Sequence, residues 1–280
     1  MRAKGWLFSG FIILLLVVAG VSLWILRQPI KQSLDLIRPA ASSSWQFAVV
    51  GDNHGVNPIY QQIVSELIKQ PPEFLLALGD NTEHGTAAEL TAVKKLEDTL
   101  PFPVYHTLGS HDIKTDGAGQ TFRDVLGQTA NAVYHLRNLW IITVDNAERK
   151  VGFSDQTLGW LETQLNTTGQ DPVIIVYHRP FGLPLASLLG DDETSASSRS
   201  NEKFTTLIGR YPNIKYIFSA HLHTYLPYTV GSTPAVVSGG GGDPAQTVLG
   251  GASQNYFHYL LVTIDDSAIS IHVQRVVLQN

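Results

Sequence analysis

The sequence contains no cysteine among its 280 residues, and this absence narrows the chemistry available to the chain. It excludes a disulfide framework and any metal site built on thiolates, although it does not identify a cellular compartment. No internal repeat is apparent. The glycine run 239–242 precedes neither a helical pattern nor a Lys-Ser or Lys-Thr pair. It therefore does not match a phosphate-binding loop, and we interpret it as a turn or rim loop.

Residues 5–26 contain no charged side chain, whereas basic residues flank them on both sides. As a helix this run would span roughly 33 Å, and the hydrocarbon core of a bilayer is about 30 Å thick. A cleaved signal peptide is the alternative, but its apolar region is usually only about 7–15 residues long. We therefore expect residues 1–27 to be a retained single-pass membrane anchor, followed by a linker over residues 28–44.

The flanking basic residues do not decide the orientation of this segment, because they occur on both sides of it. For such an anchor the ordinary outcome is a short internal tail and an exported domain, so we expect residues 45–280 to lie outside the cytoplasm. Residues 1–44 hold five of the 19 basic residues and one of the 24 acidic residues, so the remainder carries a net charge of −9. This charge disfavours nucleic acid as a partner.

Short apolar runs alternate with helical patterns from residue 45 to residue 219, which is typical of parallel βαβ units in an α/β fold. Helices are predicted over 59–69, 86–100, 155–165 and 204–211, and a polar loop over 191–200. Thr86 and Glu89 have the spacing of a capping box, and Ser154 is a candidate N-cap. After residue 225 the pattern predicts strands and turns.

Polar side chains follow five of the predicted strands, at the edge where open α/β sheets place their chemistry. Imidazole and carboxylate groups without sulfur are ligands suited to Mn, Fe or Zn. Each group alone is a weak signal, but five such strand ends in one chain indicate a metal site. In chain order they carry Asp52 and His54, Asp80 and Asn81, Ser110 with His111 and Asp112, His178, and finally His221 and His223.

The order Asp-x-His, Gly-Asp-Asn, Gly-x-His-Asp, His and His-x-His resembles the calcineurin-like metallophosphoesterase superfamily. The resemblance covers residues 45 to about 224 through these motifs, which are specific as a set. It implies an α/β fold of four layers, in which helices flank two mixed β-sheets. It also implies a centre of two divalent metal ions at the strand ends.

Carried over by position, the resemblance implies that Asp52, His54 and His223 hold one metal ion. His178 and His221 would hold the other, and Asp80 would bridge the two. The resemblance further implies that His111 donates a proton to the leaving group and that Asp112 orients His111.

One position departs from the family pattern. The family has Asn where this chain has Ser110, and the Asn carbonyl is a ligand of the second metal. A serine hydroxyl is shorter and is a poorer ligand. We therefore expect the second site to bind metal more weakly, to be completed by water, or to hold a different cation.

The function implied by the resemblance is a membrane-anchored phosphoesterase. Two metal ions would activate a water that attacks a phosphate monoester or diester, with a phosphorylated small molecule or lipid as the substrate. The alternative, motivated by Ser110, is a catalytically impaired protein that binds metal or a phosphorylated ligand on the same scaffold. The residues do not separate monoesters from diesters.

Overall fold

The computed structural model describes residues 44–183, 195–244, 256–265 and 268–278. The predicted anchor lies outside these ranges, as does all but the last residue of the predicted linker. The helices of the described part are α1 (Pro58–Lys69), α2 (Ala87–Glu97), α3 (Gln120–Leu126), α4 (Asp155–Leu165) and α5 (Ser195–Ile208). Its strands are β1 (Trp45–Val50), β2 (Leu75–Ala77), β3 (Val104–His106), β4 (Ala132–Leu136), β5 (Leu139–Thr143), β6 (Val173–Val176), β7 (Ile214–Ser219), β8 (Tyr225–Val230), β9 (Thr233–Ser238), β10 (His258–Asp265) and β11 (Ala268–Arg275).

The strands form two mixed sheets. The first has the order β11-β10-β1-β2-β3, with β1, β2 and β3 parallel and β10 antiparallel to β1. The second has the order β4-β5-β6-β7-β9-β8, with β5, β6, β7 and β9 parallel. In the first sheet the parallel strands run from the centre to the β3 edge, and in the second they are flanked by β4 and β8. Within each sheet the carboxyl ends of these parallel strands, where the polar motifs begin, lie along the same edge.

Helices cover the outer face of each sheet, and one core lies between the sheets. Phe47 of β1 and Leu260 of β10 share a buried cluster with Val176 of β6 and Phe218 of β7. Apolar residues of α1 and α2 pack on the outer face of the first sheet, and those of α4 and α5 pack on the second. These four layers confirm the predicted architecture of two mixed sheets flanked by helices.

The predicted helix caps are confirmed. The Thr86 side chain accepts a hydrogen bond from the Glu89 backbone N–H, and the Glu89 carboxylate accepts one from the Thr86 backbone N–H. The Ser154 side chain caps α4, which has the predicted bounds. These devices satisfy backbone N–H groups that a helix leaves without intrahelical partners, so they mark its start in the sequence.

Two helices differ from the prediction. The helix α3 was not expected, because it is short and lies between Gly119 and Gly127, both in left-handed conformation, without a side-chain cap. The predicted loop over 191–200 is wrong from residue 195 onward, where α5 begins. Ser200 is buried, accepts a hydrogen bond from the Phe153 backbone and donates one to the Ser197 carbonyl. These contacts outweigh the weak helix propensity of serine.

Within the part of the chain that the structure describes, none of the helices combines the length and apolar character needed to cross a bilayer.

Candidate metal centre

The loops after β1, β2, β3, β6 and β7 carry every side chain that the sequence analysis placed at the site. Backbone hydrogen bonds tie these loops together: the Asp52 N–H donates to the Gly79 carbonyl, and the His54 N–H donates to the Asp80 carbonyl. The His221 N–H donates to Asp52 Oδ1 at 3.0 Å, which joins the β7 loop to the β1 loop. The His111 N–H donates to Asp80 Oδ1, and the Ala220 N–H donates to the His178 carbonyl, so the five loops form one connected platform.

Left-handed backbone concentrates on this platform. Asp52, His54, Asp80 and His221 have φ angles of 57°, 46°, 50° and 67°. Such a conformation costs a residue other than glycine roughly 1–2 kcal/mol. Among the described residues, Arg137 in the turn between β4 and β5 is the one further case. Strained backbone of this kind persists where the surrounding structure enforces it, which is common at functional sites.

The first set of candidate ligands consists of Asp52, His54 and His223. One ligand atom from each lies within 4.8 Å of the other two. The Glu83 carboxylate is 2.7 Å from His54 Nδ1, which leaves His54 Nε2 to face the site. The Asp243 carboxylate is 2.8 Å from His223 Nδ1. Carboxylates behind metal-binding histidines fix the ring orientation and raise the basicity of the ligand nitrogen.

The second set consists of Asp80, His178 and His221, whose ligand atoms satisfy the same distance limit of 4.8 Å. His178 Nδ1 is 3.0 Å from the Leu78 carbonyl, which directs Nε2 toward Asp80 Oδ1 at 3.2 Å. The other Asp80 oxygen is 3.7 Å from His54 Nε2. Asp80 therefore lies between the two sets, in the position expected of a bridging carboxylate.

Ser110 lies beside the second set. Its Oγ is 3.3 Å from Asp80 Oδ1 and 3.4 Å from His178 Nε2. The hydroxyl thus occupies the side of the second set at which the resemblance implied an amide carbonyl, and it competes for the same Asp80 oxygens that a cation would use.

His111 is held differently from the prediction. The Asp112 carboxylate is buried and accepts hydrogen bonds from Gly109, Asn81 and Thr82. The His111 ring instead has Nδ1 within 3.0 Å of the Glu83 carbonyl oxygen and 3.5 Å of Glu83 Oε1. The expectation that Asp112 orients His111 is therefore wrong: Asp112 organises the loop backbone, and Glu83 contacts the ring.

Burial and charge shape the protonation of this cluster. Burial raises the pKa of Asp52 to about 7. Burial opposes the charged form of His178, but the Asp80 carboxylate outweighs it and raises the pKa of His178 to about 9. Burial likewise opposes ionisation of Asp80, yet His178 holds the pKa of that carboxyl well below its usual range. The buried carboxylates therefore require positive charge beside them.

The donors of both sets fit divalent cations. Asp52 Oδ2 and His54 Nε2 are buried and have no hydrogen-bond partner. Burying such atoms without a partner costs about 1–3 kcal/mol each, and a bound cation would satisfy both. Nitrogen and oxygen donors without sulfur match Mn, Fe or Zn. Because Asp80 faces both sets, the arrangement suits two ions.

Two carboxylates at the site, Glu83 and Asp243, were missed in the sequence analysis. Glu83 lies three residues after Asp80 in a loop, where no period predicts the direction of a side chain. Asp243 ends the glycine run 239–242, and a Cβ added at Gly239 would lie 2.1 Å from Asp52 Oδ2. In the sequence, the available signal for Asp243 was an acidic residue directly after a glycine run. The structure shows that this run passes close to the candidate ligand Asp52.

Known proteins resemble the chain in sequence and in fold. It is 25% identical over 198 residues to the glycerophosphodiester phosphodiesterase GpdQ of Enterobacter lignolyticus, a match covering 65% of this chain and 69% of that protein. It is 26% identical over 164 residues to the 3',5'-cyclic-nucleotide phosphodiesterase alr5338 of Nostoc sp., covering 56% of this chain and 58% of that protein. The solved purple acid phosphatase PPD1 of yellow lupin (Lupinus luteus) superposes with a TM-score of 0.65 at 13% identity, covering 84% of this chain and 52% of that one.

The structural likeness to the lupin enzyme supports the fold alone, because its sequence identity is low. The family model for calcineurin-like phosphoesterases matches residues 46–225, which include all five strand-end motifs. Members of this family use a centre of two metal ions, and the candidate ligands for such a centre converge here. The chain therefore belongs to the calcineurin-like phosphoesterase family of metal-dependent phosphoric ester hydrolases.

Proposed function

We propose that residues 45–280 form a phosphodiesterase that uses two divalent metal ions. The position of Asp80 carries this proposal, because its two oxygens face His178 at 3.2 Å and His54 at 3.7 Å. Two similar proteins are named for the hydrolysis of phosphodiesters, which favours a diester over a monoester substrate.

Two bound cations would supply positive charge to the phosphoryl oxygens and would lower the pKa of a bound water, so that a nucleophile is available at neutral pH. The side chains of the site would balance the charge of the cations, orient the ligands and donate a proton. The Asp80 carboxylate would offset the repulsion between the cations, and His54 and His178, fixed through Nδ1, would present Nε2 to them. His111, whose side chain is 25% exposed and lies beside Glu83, would donate the proton to the departing oxygen.

A direct test compares two aryl phosphates on the metal-loaded full-length chain. With Mn²⁺ present, bis(4-nitrophenyl) phosphate should be hydrolysed with a larger kcat/KM than 4-nitrophenyl phosphate. His178→Ala should abolish both activities, whereas His135→Ala, at an exposed histidine stacked on Trp140, should leave them unchanged. A larger kcat/KM for the monoester would contradict the choice of a diester, and inactivity toward both would contradict the enzyme.

The second candidate is a metal-binding or phospholigand-binding protein without useful turnover. The Ser110 hydroxyl in place of an amide carbonyl favours it, since this side chain already contacts Asp80 and His178. Titration of activity with Mn²⁺ separates the two. An enzyme with a weak second site becomes active at high Mn²⁺, whereas a binding protein stays inactive at every concentration and still retains the first metal.

We also propose that residues 5–26 anchor the protein in a membrane with residues 45–280 outside the cytoplasm. This segment lies outside the described residues, and the proposal rests on its lack of charged side chains. Protease added to cells with a permeabilised outer layer should remove the domain and spare the anchor. Protection of the domain would reverse the orientation, and a soluble product starting near residue 23 would indicate a cleaved signal peptide.

A further inference from the structure

A buried chain of polar side chains lies beneath the metal centre, between the first sheet and its covering helices. It begins at Tyr60 of α1, continues through Glu97 of α2, and reaches His106 of β3. All three residues are at most 5% exposed. None of them is one of the candidate metal ligands, and α1 and α2 otherwise pack through apolar residues.

The chain ends on the residue next to the proposed bridging ligand. His106 Nε2 is 3.0 Å from a Glu97 oxygen, and His106 Nδ1 is 2.9 Å from the side-chain oxygen of Asn81. Asn81 directly follows Asp80, whose φ is 50°. The polar chain thus connects the helix layer to the strained loop that carries the bridging carboxylate.

The donors and acceptors define the direction of this chain. The Asn81 amide nitrogen donates to the Thr107 carbonyl and to Asp112, so its oxygen faces His106. His106 Nδ1 must therefore carry a proton. Burial and the Glu97 carboxylate raise the pKa of Tyr60 well above its ordinary value, so the phenol also remains a donor, and its acceptor is Glu97. A carboxylate oxygen and a bare imidazole nitrogen would both be acceptors, so Glu97 and His106 Nε2 share one proton across their contact of 3.0 Å.

Asn81 joins three loops of the platform. Its side chain binds Thr107 and Asp112 of the β3 loop, and its carbonyl accepts hydrogen bonds from Asn53 and Gly55 of the β1 loop. A rotation of the side-chain amide would break its contacts with Thr107 and Asp112 of the β3 loop. Only the His106 ring holds the amide oxygen among the hydrogen bonds described here.

We propose that Glu97 and His106 are positioning residues for the metal centre, acting through Asn81 on Asp80. This inference rests on the proposed metal site. A buried carboxylate and imidazole are a costly way to join a helix to a sheet, since apolar residues of similar volume often serve stability equally well. In this chain the pair holds an amide in one orientation, which an apolar side chain cannot do.

The test separates positioning from stability. In the triple variant Tyr60→Phe/Glu97→Leu/His106→Leu the three polar side chains between the helices and the sheet are replaced together by apolar ones, so the helix layer stays packed while the Asn81 amide oxygen loses its donor. The dissociation constant of Mn²⁺, measured by calorimetry on the full-length chain, should rise about tenfold, at the lower end of the range for groups that support metal ligands. The melting temperature of the metal-free protein should change little.

Two further variants complete the comparison. Glu97→Gln can accept from Tyr60 and donate to a neutral His106, so it keeps the chain of hydrogen bonds and should bind Mn²⁺ like the wild type. Val93→Ala removes buried apolar contacts from the same helix without touching the polar chain. It should lower the melting temperature and leave the dissociation constant within about twofold.

Unchanged Mn²⁺ affinity in the triple variant would overturn the inference, as would equal losses of affinity in the triple variant and Val93→Ala. If the triple variant does not fold, Glu97→Ala replaces it, and wild-type affinity in that variant would overturn the inference equally. A wild-type chain that binds no Mn²⁺ would instead contradict the proposed metal centre itself, so the two failures are distinguishable.

Discussion

The two sets of candidate ligands are supported in different ways. In the first set, His54 and His223 each have a carboxylate beside them, and these carboxylates, Glu83 and Asp243, are 43% and 30% exposed. In the second set, His178 is fully buried and is oriented by the backbone carbonyl of Leu78. The first set is thus surrounded by anionic side chains at the rim, and the second by neutral groups in the interior.

This difference predicts unequal metal binding. Carboxylates behind imidazole ligands strengthen the bond to the cation, whereas a neutral carbonyl only orients the ring. The second set also has the Ser110 hydroxyl where a stronger oxygen donor would lie. We therefore expect the first metal to be held tightly and the second to exchange, so that the supply of the second metal controls activity.

The largest effect should follow from removing the charge of the carboxylate that lies between the two sets. Asp80→Asn removes a charge that would lie near both cations, and a charge at about 4 Å contributes about 4 kcal/mol at the effective dielectric of a protein. Each metal dissociation constant should therefore rise about 10³-fold, with loss of turnover. Calorimetry and a phosphodiester assay measure both effects. Asp98→Asn, at an exposed carboxylate paired with Lys94, is the matched control. If only one site weakens, Asp80 does not bridge.

The next largest effect concerns His111, the proposed proton donor, which belongs to neither set. His111→Ala should lower kcat by about 10²-fold on diesters with alkyl leaving groups, because these need protonation to depart. The loss should shrink for nitrophenyl esters, and metal content measured by elemental analysis should stay unchanged. An equal loss on both kinds of ester would remove His111 from this role.

Ser110→Asn should make the two sets more alike. The longer side chain brings an amide oxygen toward Asp80 and His178, so the second metal should bind about tenfold more tightly and activity should saturate at lower Mn²⁺. The maximal rate should be similar or higher. A wild-type protein that already holds two ions at full occupancy would show that the serine hydroxyl, or a water beside it, is an adequate ligand.

Glu83→Gln tests the first set from the outside. Loss of the negative charge beside His54 should raise the dissociation constant of the first metal about tenfold, because Glu83 contacts a ligand rather than the metal itself. Glu73→Gln is the matched control, because Glu73 has a similar exposure and pairs with Arg137 away from the site. Equal Mn²⁺ affinities in the two variants would show that Glu83 does not support the ligand.

The smallest effect concerns the glycine run that leads to Asp243. Burial lowers the pKa of His258 to about 4 from its ordinary 6.5, and its backbone N–H donates to the Gly240 carbonyl. Between pH 6.5 and 4 the imidazole is therefore protonated in the unfolded chain but neutral in the folded one. The free energy of unfolding has its full value above about pH 6.5 and decreases as the pH falls toward 4. At pH 5.5 the loss should be about 1 kcal/mol. Urea unfolding at pH 7.5 and 5.5 measures it, and His258→Gln should remove this part of the pH dependence.

Much of the scaffold was predictable because its signals are local. Apolar runs of strand length, followed by glycine and then a polar residue, mark β1, β2 and β3. The capping side chains of Thr86 and Ser154 mark where α2 and α4 begin. The helix α3 and the first turns of α5 were missed, because glycine boundaries and serine side chains carry little local preference. Their helical state depends on packing against the rest of the fold.

The sequence by itself determined which side chains could hold metal, because strand ends bring alternating Asp and His residues to one edge of a sheet. Only the tertiary structure decided which carboxylate supports each of them. Asp112 is adjacent to His111 in the chain but faces backbone amides, whereas Glu83 is separated from His111 by 28 residues and contacts its ring. Loop side chains follow no period, so their partners are set by hydrogen bonds between loops that meet only when β2 and β3 have paired in the sheet.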